Sequence, residues 1–278
     1  MSTPPSPDAP WSLAGKTAIV TGGSRGIGQA IAIHLARKGI SKLAITYVSN
    51  IKAAEATLEE LRGLGVKDLA AVQADALDPD FASKVTSEVL EKLGTKVIDI
   101  LVNNAVLADP AKVLPVNDTT LENFLEIMHG NVYAPVSLIT KVLPYFPKYG
   151  GRVINISSVL AYQGNPDPTI TYGASKATLQ AYTRSFADSF GKKTQATFNS
   201  VIVGLTATDS IKSTMDMNLM PPGFLDAQIR DTTTAERIGV PDDVAYIVGF
   251  LCSEEARWVN GAAISANGGN KLVMSALG

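Results

Sequence analysis

Short apolar runs and longer amphipathic stretches alternate along the chain from Lys16 to about Gly191. The apolar runs are "KTAIVTGG" (16–23), "KLAITYV" (42–48), "LAAVQAD" (69–75), "DILVNNAV" (99–106), "GRVINISS" (151–158) and "TFNSVIVG" (197–204), with "AAISANGG" (262–269) as a seventh. Several lack the polar alternation of a half-exposed strand, which is the pattern of strands covered by helices on both faces. Between them, "GIGQAIAIHLARKG" and "IKAAEATLEELRGLG" read as helices, each closed by a glycine. The alternation predicts a single α/β domain, a doubly wound parallel sheet of about seven strands, spanning 13–278.

The regularity lapses at 205–236, where Pro221, Pro222 and Gly223 interrupt helix formers and Met215, Met217 and Met220 cluster. An insertion at the carboxyl end of a strand is where this architecture places a substrate-covering segment, so 205–236 is expected to be a lid. Its methionines, Met215 in particular, are expected to line an adaptable apolar pocket. The opening "MSTPPSPDAP" has four prolines and no basic residue, so residues 1–12 are expected to form a disordered arm rather than a secretory signal.

Composition narrows the class. The chain has 278 residues, 46% hydrophobic and 18% charged, with a formal net charge of −2. That suits one large core and gives no reason to expect nucleic acid or a membrane surface as partner. The single cysteine, Cys252, excludes an intrachain disulfide, fits a reducing compartment and lies in an apolar run, where a buried structural thiol is expected. No apolar run approaches the roughly 20 residues of a membrane span, and a cytoplasmic location is expected.

Chemistry enters with "TGGSRGIG". Gly22, Gly26 and Gly28 stand between the first strand and the first helix. Glycines there permit a tight turn and let backbone amides and the helix N-terminus approach a pyrophosphate, the signature of a dinucleotide site. Further on, Tyr172 and Lys176 lie four apart on one helical face. A free phenol titrates near pH 10, and an ammonium about 4 Å away at an effective dielectric of 20 is worth on the order of 4 kcal/mol before desolvation, so the lysine is expected to lower the phenol pKa.

The GxxxGxG loop, "NNA" at 103–105 and YxxxK at 172–176, in this order, resemble the short-chain dehydrogenase/reductase family, and fungal secondary-metabolite reductases in particular. The resemblance runs from residue 13 to about 270 and implies a Rossmann-type fold. It also implies a catalytic set of Asn131, Ser158, Tyr172 and Lys176, with Ser158 holding the substrate oxygen, Tyr172 giving the proton, Lys176 holding the ribose and Asn131 ordering a water. Ser157 is the lesser candidate beside Ser158, and His129 is expected to be structural. The implied cofactor contacts are Gly22, Ser24, Arg25, Gly26, Ile27, Gly28, Tyr47, Ser49, Asn50, Asp75, Ala76, Asn103, Asn104, Ala105, Val106, Gly204, Thr206 and Thr208, besides Tyr172 and Lys176. The second strand ends "TYVSN" without the acid that would bind a free ribose 2′-hydroxyl, and Arg25 matches a basic residue of NADP-using members, so NADP(H) is the expected cofactor. Family members assemble as dimers or tetramers through the YxxxK helix and the one before it, so a homo-oligomer is expected. The chain departs from the family at Val106, where glycine is usual, at Val203 and at Asn267.

Ser158 and Tyr172 are fourteen residues apart, one more than in many members, and the added loop contains "NPDPT". Each proline fixes its own φ and pushes the residue before it towards extended geometry, so Asp167 is a carboxylate with little backbone freedom. Such a group is either turn chemistry or a counter-ion for a cationic substrate, as in fungal members that resemble this chain in carrying Pro-Asp-Pro and reduce iminium intermediates. Three functions follow. The first is NADPH-dependent reduction of a polyketide- or β-ketoacyl-like carbonyl, with Ser158, Asp167, Tyr172 and Met215 bordering the substrate. The second is a reductase/cyclase acting on an iminium with Asp167 as counter-ion. The third is a non-catalytic NADPH-binding regulator.

Overall fold

The computed structural model describes residues 9–108, 112–216, 220 and 222–271. Seven parallel strands stand in the order β3-β2-β1-β4-β5-β6-β7. They are β1 (Thr17–Val20), β2 (Lys42–Tyr47), β3 (Asp68–Gln73), β4 (Ile100–Asn103), β5 (Arg152–Ser158), β6 (Thr197–Val203) and β7 (Ala263–Ala266). Every residue of β1, β4, β5 and β6 is buried, as their unbroken apolar character predicts. The strand order reverses between β1 and β4, and at such a switch point the carboxyl ends of the strands leave a crevice for a ligand.

Helices α1 (Gly26–Arg37), α2 (Ile51–Gly63) and α9 (Pro241–Cys252) cover one face; their core includes Ile31, Leu35, Leu61, Val248 and Leu251. On the other face α3 (Phe81–Lys92), α5 (Ala134–Val142) and α6 (Ile170–Thr194) pack through Val85, Val89, Leu138, Ile139 and Phe186. Between α3 and α5 lies α4 (Leu121–Met128), and after β6 come α7 (Asp209–Asp216) and α8 (Phe224–Asp231). Local sequence explains several ends. Asn50 caps α2 by accepting from the Ala53 amide at 3.0 Å, and Thr120 caps α4 through the Asn123 amide at 3.1 Å. Pro241 opens α9, where its missing N–H has no intrahelical partner to lose.

Part of the expected arm is ordered. Residues 1–8 lie outside the described residues, but the Trp11 amide donates to Glu255 at 2.8 Å, its ring meets Phe250 at 5.5 Å, and Leu13 is buried. An indole and a leucine ending a proline-rich stretch have enough apolar surface to anchor it. Cys252 is buried, and burial pushes its thiol pKa up, the inert state its setting predicts. Among the described residues no helix is long and apolar enough to cross a membrane, and no group of three or more His, Cys, Asp or Glu side chains is placed to hold a metal.

Candidate active site

The glycine loop is built by contacts that leave no room for larger residues. Gly22 and Gly26 adopt φ of 63° and 57°, a region side-chain-bearing residues rarely enter. At Gly28 a Cβ would overlap the Gly22 carbonyl oxygen and lie 2.5 Å from Asn104 Nδ2. The loop is tied to two strands: the Gly22 amide donates to Thr46 Oγ1 at 3.0 Å, and Asn104 Nδ2 donates to the Thr21 and Gly22 carbonyls at 2.9 and 3.2 Å. Thr21, which the sequence reading missed, accepts on its hydroxyl from both the Asn104 and Ala105 amides at 2.9 Å. A buried threonine ahead of a glycine run gives no pattern to find it by. Thr208 borders the same loop, with its Cγ2 3.4 Å from where a Cβ on Gly26 would stand.

This cradle fits a dinucleotide: a strand–helix turn stripped of side chains, with the first amides of α1 at its mouth. Arg25 stands at that mouth in extended geometry, exposed and without an ion pair among the described residues. Tyr47 is half-buried at the end of β2, and Val48, Ser49 and Asn50 after it are exposed. Asn50 differs in part from expectation, since its carbonyl oxygen faces its own helix as the α2 cap. Asp75 is exposed after β3 and accepts from the Leu77 amide at 2.9 Å, with Ala76 half-buried beside it. Asn103 does not line the crevice. It is buried and donates to Asn155 at 2.8 Å; Asn155 donates to Thr183 at 2.8 Å, which also accepts from Ser200 at 3.0 Å. The Thr206 hydroxyl likewise turns inward, onto the Gly204 carbonyl at 3.0 Å.

The four expected catalytic residues sit at the ends of β5, α4 and α6. Ser158 closes β5 and caps a short 3₁₀ turn, its Oγ accepting from the Leu160 amide at 3.2 Å. Its neighbour Ser157 is buried and accepts from the Gln180 side chain at 2.7 Å. Between α4 and α5 runs a π turn, His129–Tyr133, and it carries Asn131 inward to 1% exposure. The Asn131 side chain accepts from the Leu107 amide at 2.7 Å and donates to the Leu107 carbonyl at 3.1 Å and to Ser175 at 3.2 Å. His129 stacks edge-on against Tyr133, the structural part expected of it.

Tyr172 and Lys176 share a face of α6, but their electrostatics differ from expectation. Lys176 Nζ donates to the Ile156 carbonyl at 2.9 Å and lies 5.8 Å from the tyrosine ring centroid. At that separation burial outweighs the attraction: it pushes the phenol up to about 12 and the ammonium down to about 8. In this arrangement burial, not the lysine, sets the direction for the phenol, which is held in its neutral form.

The Pro-Asp-Pro segment reaches sideways. Asp167, exposed, accepts from the Val116 amide at 2.9 Å and ties this loop to the one between β4 and α4. Met215 on α7 is 37% exposed and Met220 is half-buried, while Met217 lies outside the described residues. A surface depression of about 620 Å³ is lined by Leu77, Leu121, Glu122, Leu125, Glu126 and His129 and shares no residue with the four expected catalytic positions.

Comparison with known proteins agrees with this geometry. Residues 22–271 match a family model described as Enoyl-(Acyl carrier protein) reductase. The chain is 55% identical to the short chain dehydrogenase penD of Penicillium thymicola, covering 97% of this chain and 96% of that one. It is 31% identical to the versicolorin reductase stcU of Emericella nidulans, covering 93% and 97%. Among solved structures, a short chain dehydrogenase from Burkholderia cenocepacia in complex with NADP superposes with a TM-score of 0.81 at 34% identity, covering 93% and 99%. The landomycin C-6 ketoreductase LanV with bound NADP and rabelomycin gives 0.77 at 33%, covering 93% and 97%. Glycine loop, sheet order and whole-chain similarity agree: the chain belongs to the short-chain dehydrogenase/reductase family, alongside fungal secondary-metabolite reductases.

Proposed function

We propose that the protein is an NADP(H)-dependent reductase acting on a carbonyl of a polyketide- or β-ketoacyl-like metabolite. The observation that supports this reading is a Ser158 hydroxyl at the end of β5 that, among the described residues, accepts from a backbone amide alone, together with a Tyr172 phenol on α6 that burial keeps protonated. Gly22, Gly26, Gly28 and the α1 N-terminus would hold the pyrophosphate, and Arg25 with Ser49 the 2′-phosphate. When bound, the dinucleotide supplies hydride to an electrophilic carbon. Ser158 donates to the substrate oxygen, Tyr172 transfers its proton there, and Lys176 orients the ribose and the phenol. Asn131, its side chain committed to Leu107 and Ser175, serves the proton supply through the backbone of the π turn. The ketoreductase and versicolorin reductase among its relatives support a polycyclic aromatic ketone as the substrate class.

The iminium reading is less well supported, because the Asp167 carboxylate already accepts a backbone hydrogen bond. Asp167→Asn separates the two: the amide oxygen can still accept from Val116, so ketone turnover stays within twofold, whereas a cation would lose tenfold or more, about 1.4 kcal/mol. NADPH oxidation by the purified chain with polycyclic ketones tests the main reading. Turnover that survives Tyr172→Phe would overturn it. We also infer a homo-oligomer that covers Leu121, Phe124, Leu125, Tyr133 and Tyr182, all exposed on α4, the π turn and α6; sedimentation velocity tests this, and a monomer would refute it.

A further inference from the structure

A loop with one added residue between Ser158 and Tyr172 needs something to keep the two hydroxyls aimed at one oxygen. Asn165, half-buried, donates through Nδ2 to the Leu160 carbonyl at 2.7 Å, and the Leu160 amide in turn donates to Ser158 Oγ at 3.2 Å. On its other side the same carboxamide lies over Gly173, the residue after Tyr172. A Cβ on Gly173 would overlap Asn165 Nδ2, and would lie 2.9 Å from Asn165 Cγ and 2.7 Å from the Leu160 oxygen. The Gly173 amide donates to Thr169 at 2.9 Å, so the carboxamide presses on the first turn of α6 itself. One side chain thus touches the two backbone stretches that carry the proton-donating pair. Asn165 Oδ1 is shielded from solvent with no hydrogen-bond partner among the described residues, a cost the fold carries to keep the amide in this place.

We propose that Asn165 is a positioning residue: seated between the Leu160 carbonyl and Gly173, it sets the separation of Ser158 and Tyr172 across the lengthened loop. The proposal rests on the reductase reading of the same site. It gives residue 173 a reason to be glycine that has nothing to do with backbone φ, and it makes positions 165 and 173 dependent on one another.

The test combines amide hydrogen exchange, NADPH titration by fluorescence and steady-state reduction of a bicyclic aryl ketone such as 1-tetralone within a polycyclic ketone panel. In Asn165→Ala the Leu160 and Gly173 amides exchange at least tenfold faster while amides around Phe186 do not change. Its NADPH Kd stays within twofold, and kcat falls tenfold or more with KM within threefold. Gly173→Ala gives a similar fall, and the double variant loses less than the product of the two single losses. An Asn165→Ala protein with unchanged kcat would overturn the positioning role, as would a fall in kcat without faster exchange at Leu160 and Gly173. A joint loss of kcat, NADPH affinity and melting temperature would reduce Asn165 to a general stability residue and overturn it too. A wild type inactive on every ketone, by contrast, would overturn the reductase reading first and this role with it.

Discussion

Replacing Gly28 with alanine tests whether the glycine loop and α1 form a pre-set cradle. The new Cβ would stand 2.5 Å from Asn104 Nδ2 and 2.9 Å from the Gly22 carbonyl carbon, besides overlapping the Gly22 oxygen. Ordinary contacts between such atoms are about 3.5–4.0 Å, so the start of α1 must retreat by roughly 1 Å. Asn104 cannot yield freely, because it also bonds the Thr21 carbonyl at 2.9 Å. Overpacking of this kind costs about 1–3 kcal/mol, and a displacement near 1 Å can cost as much as 100-fold in a positioned interaction. NADPH affinity measured by titration calorimetry should weaken 30- to 100-fold, about 2–3 kcal/mol. Gly63→Ala is the control: nothing lies within 4 Å of its Cβ position and it ends α2, so it should leave affinity unchanged and stabilise by up to about 1 kcal/mol. A Gly28→Ala protein that binds NADPH within threefold of wild type would refute the cradle argument.

Three further outcomes follow from the described geometry. Arg25→Ala should raise the Kd for NADPH about tenfold or more and leave that for NADH within twofold, a difference read by competitive titration; equal losses would exclude a 2′-phosphate contact. Asn155→Leu leaves the buried Asn103 amide without its acceptor and removes one donor from the Thr183 hydroxyl, which keeps Ser200 and Leu179, and should cost about 1–3 kcal/mol in urea unfolding. His34 is buried, and burial, with Lys38 and Arg37 against the opposing Asp242, lowers its pKa from 6.5 to about 4. The native state therefore prefers neutral imidazole, and its contribution is lost as pH falls from about 6.5 to 4. At about 1.4 kcal/mol per unit the loss reaches roughly 2–3 kcal/mol, so His34→Gln should flatten stability against pH in that window, and parallel curves for the two proteins would count against it.

The centre of the sheet was legible because β1, β4, β5 and β6 are buried throughout and carry their own apolar signal, while the edge strands β3 and β7 are only partly covered. Each of the seven runs coincides with an observed strand, six enclosing it whole and the third, 69–75, missing only Asp68 at the start of β3. The glycine loop was legible for another reason: the backbone there tolerates few residue types, as Gly28 illustrates. Side-chain polarity was less readable. Asn103 and Asn104 are identical neighbours, yet one enters the sheet interior and the other holds the glycine loop, because successive residues leaving a strand point to opposite sides. The phenol pKa went against expectation because a pairwise attraction was judged without the desolvation that burial adds. Asn165 reads in the sequence only as a residue before a proline, because its contacts, the Leu160 carbonyl and the space over Gly173, lie on separate stretches of chain with no local pattern to join them.

The π turn at His129–Tyr133 has a consequence for the whole helical arm that contains it. Each added residue advances a helix by about 100°, so the turn sets α4 out of phase with α5. No single apolar stripe can run from Leu121 to Val142, and the faces that α4 and α5 present are independently addressed. Deleting Val132 would bring the two helices into one register and turn the Leu121, Phe124 and Leu125 face by roughly a quarter turn about the arm's axis. One residue thus couples two properties that look unrelated: the inward aim of Asn131 and the direction in which the protein offers its exposed apolar side.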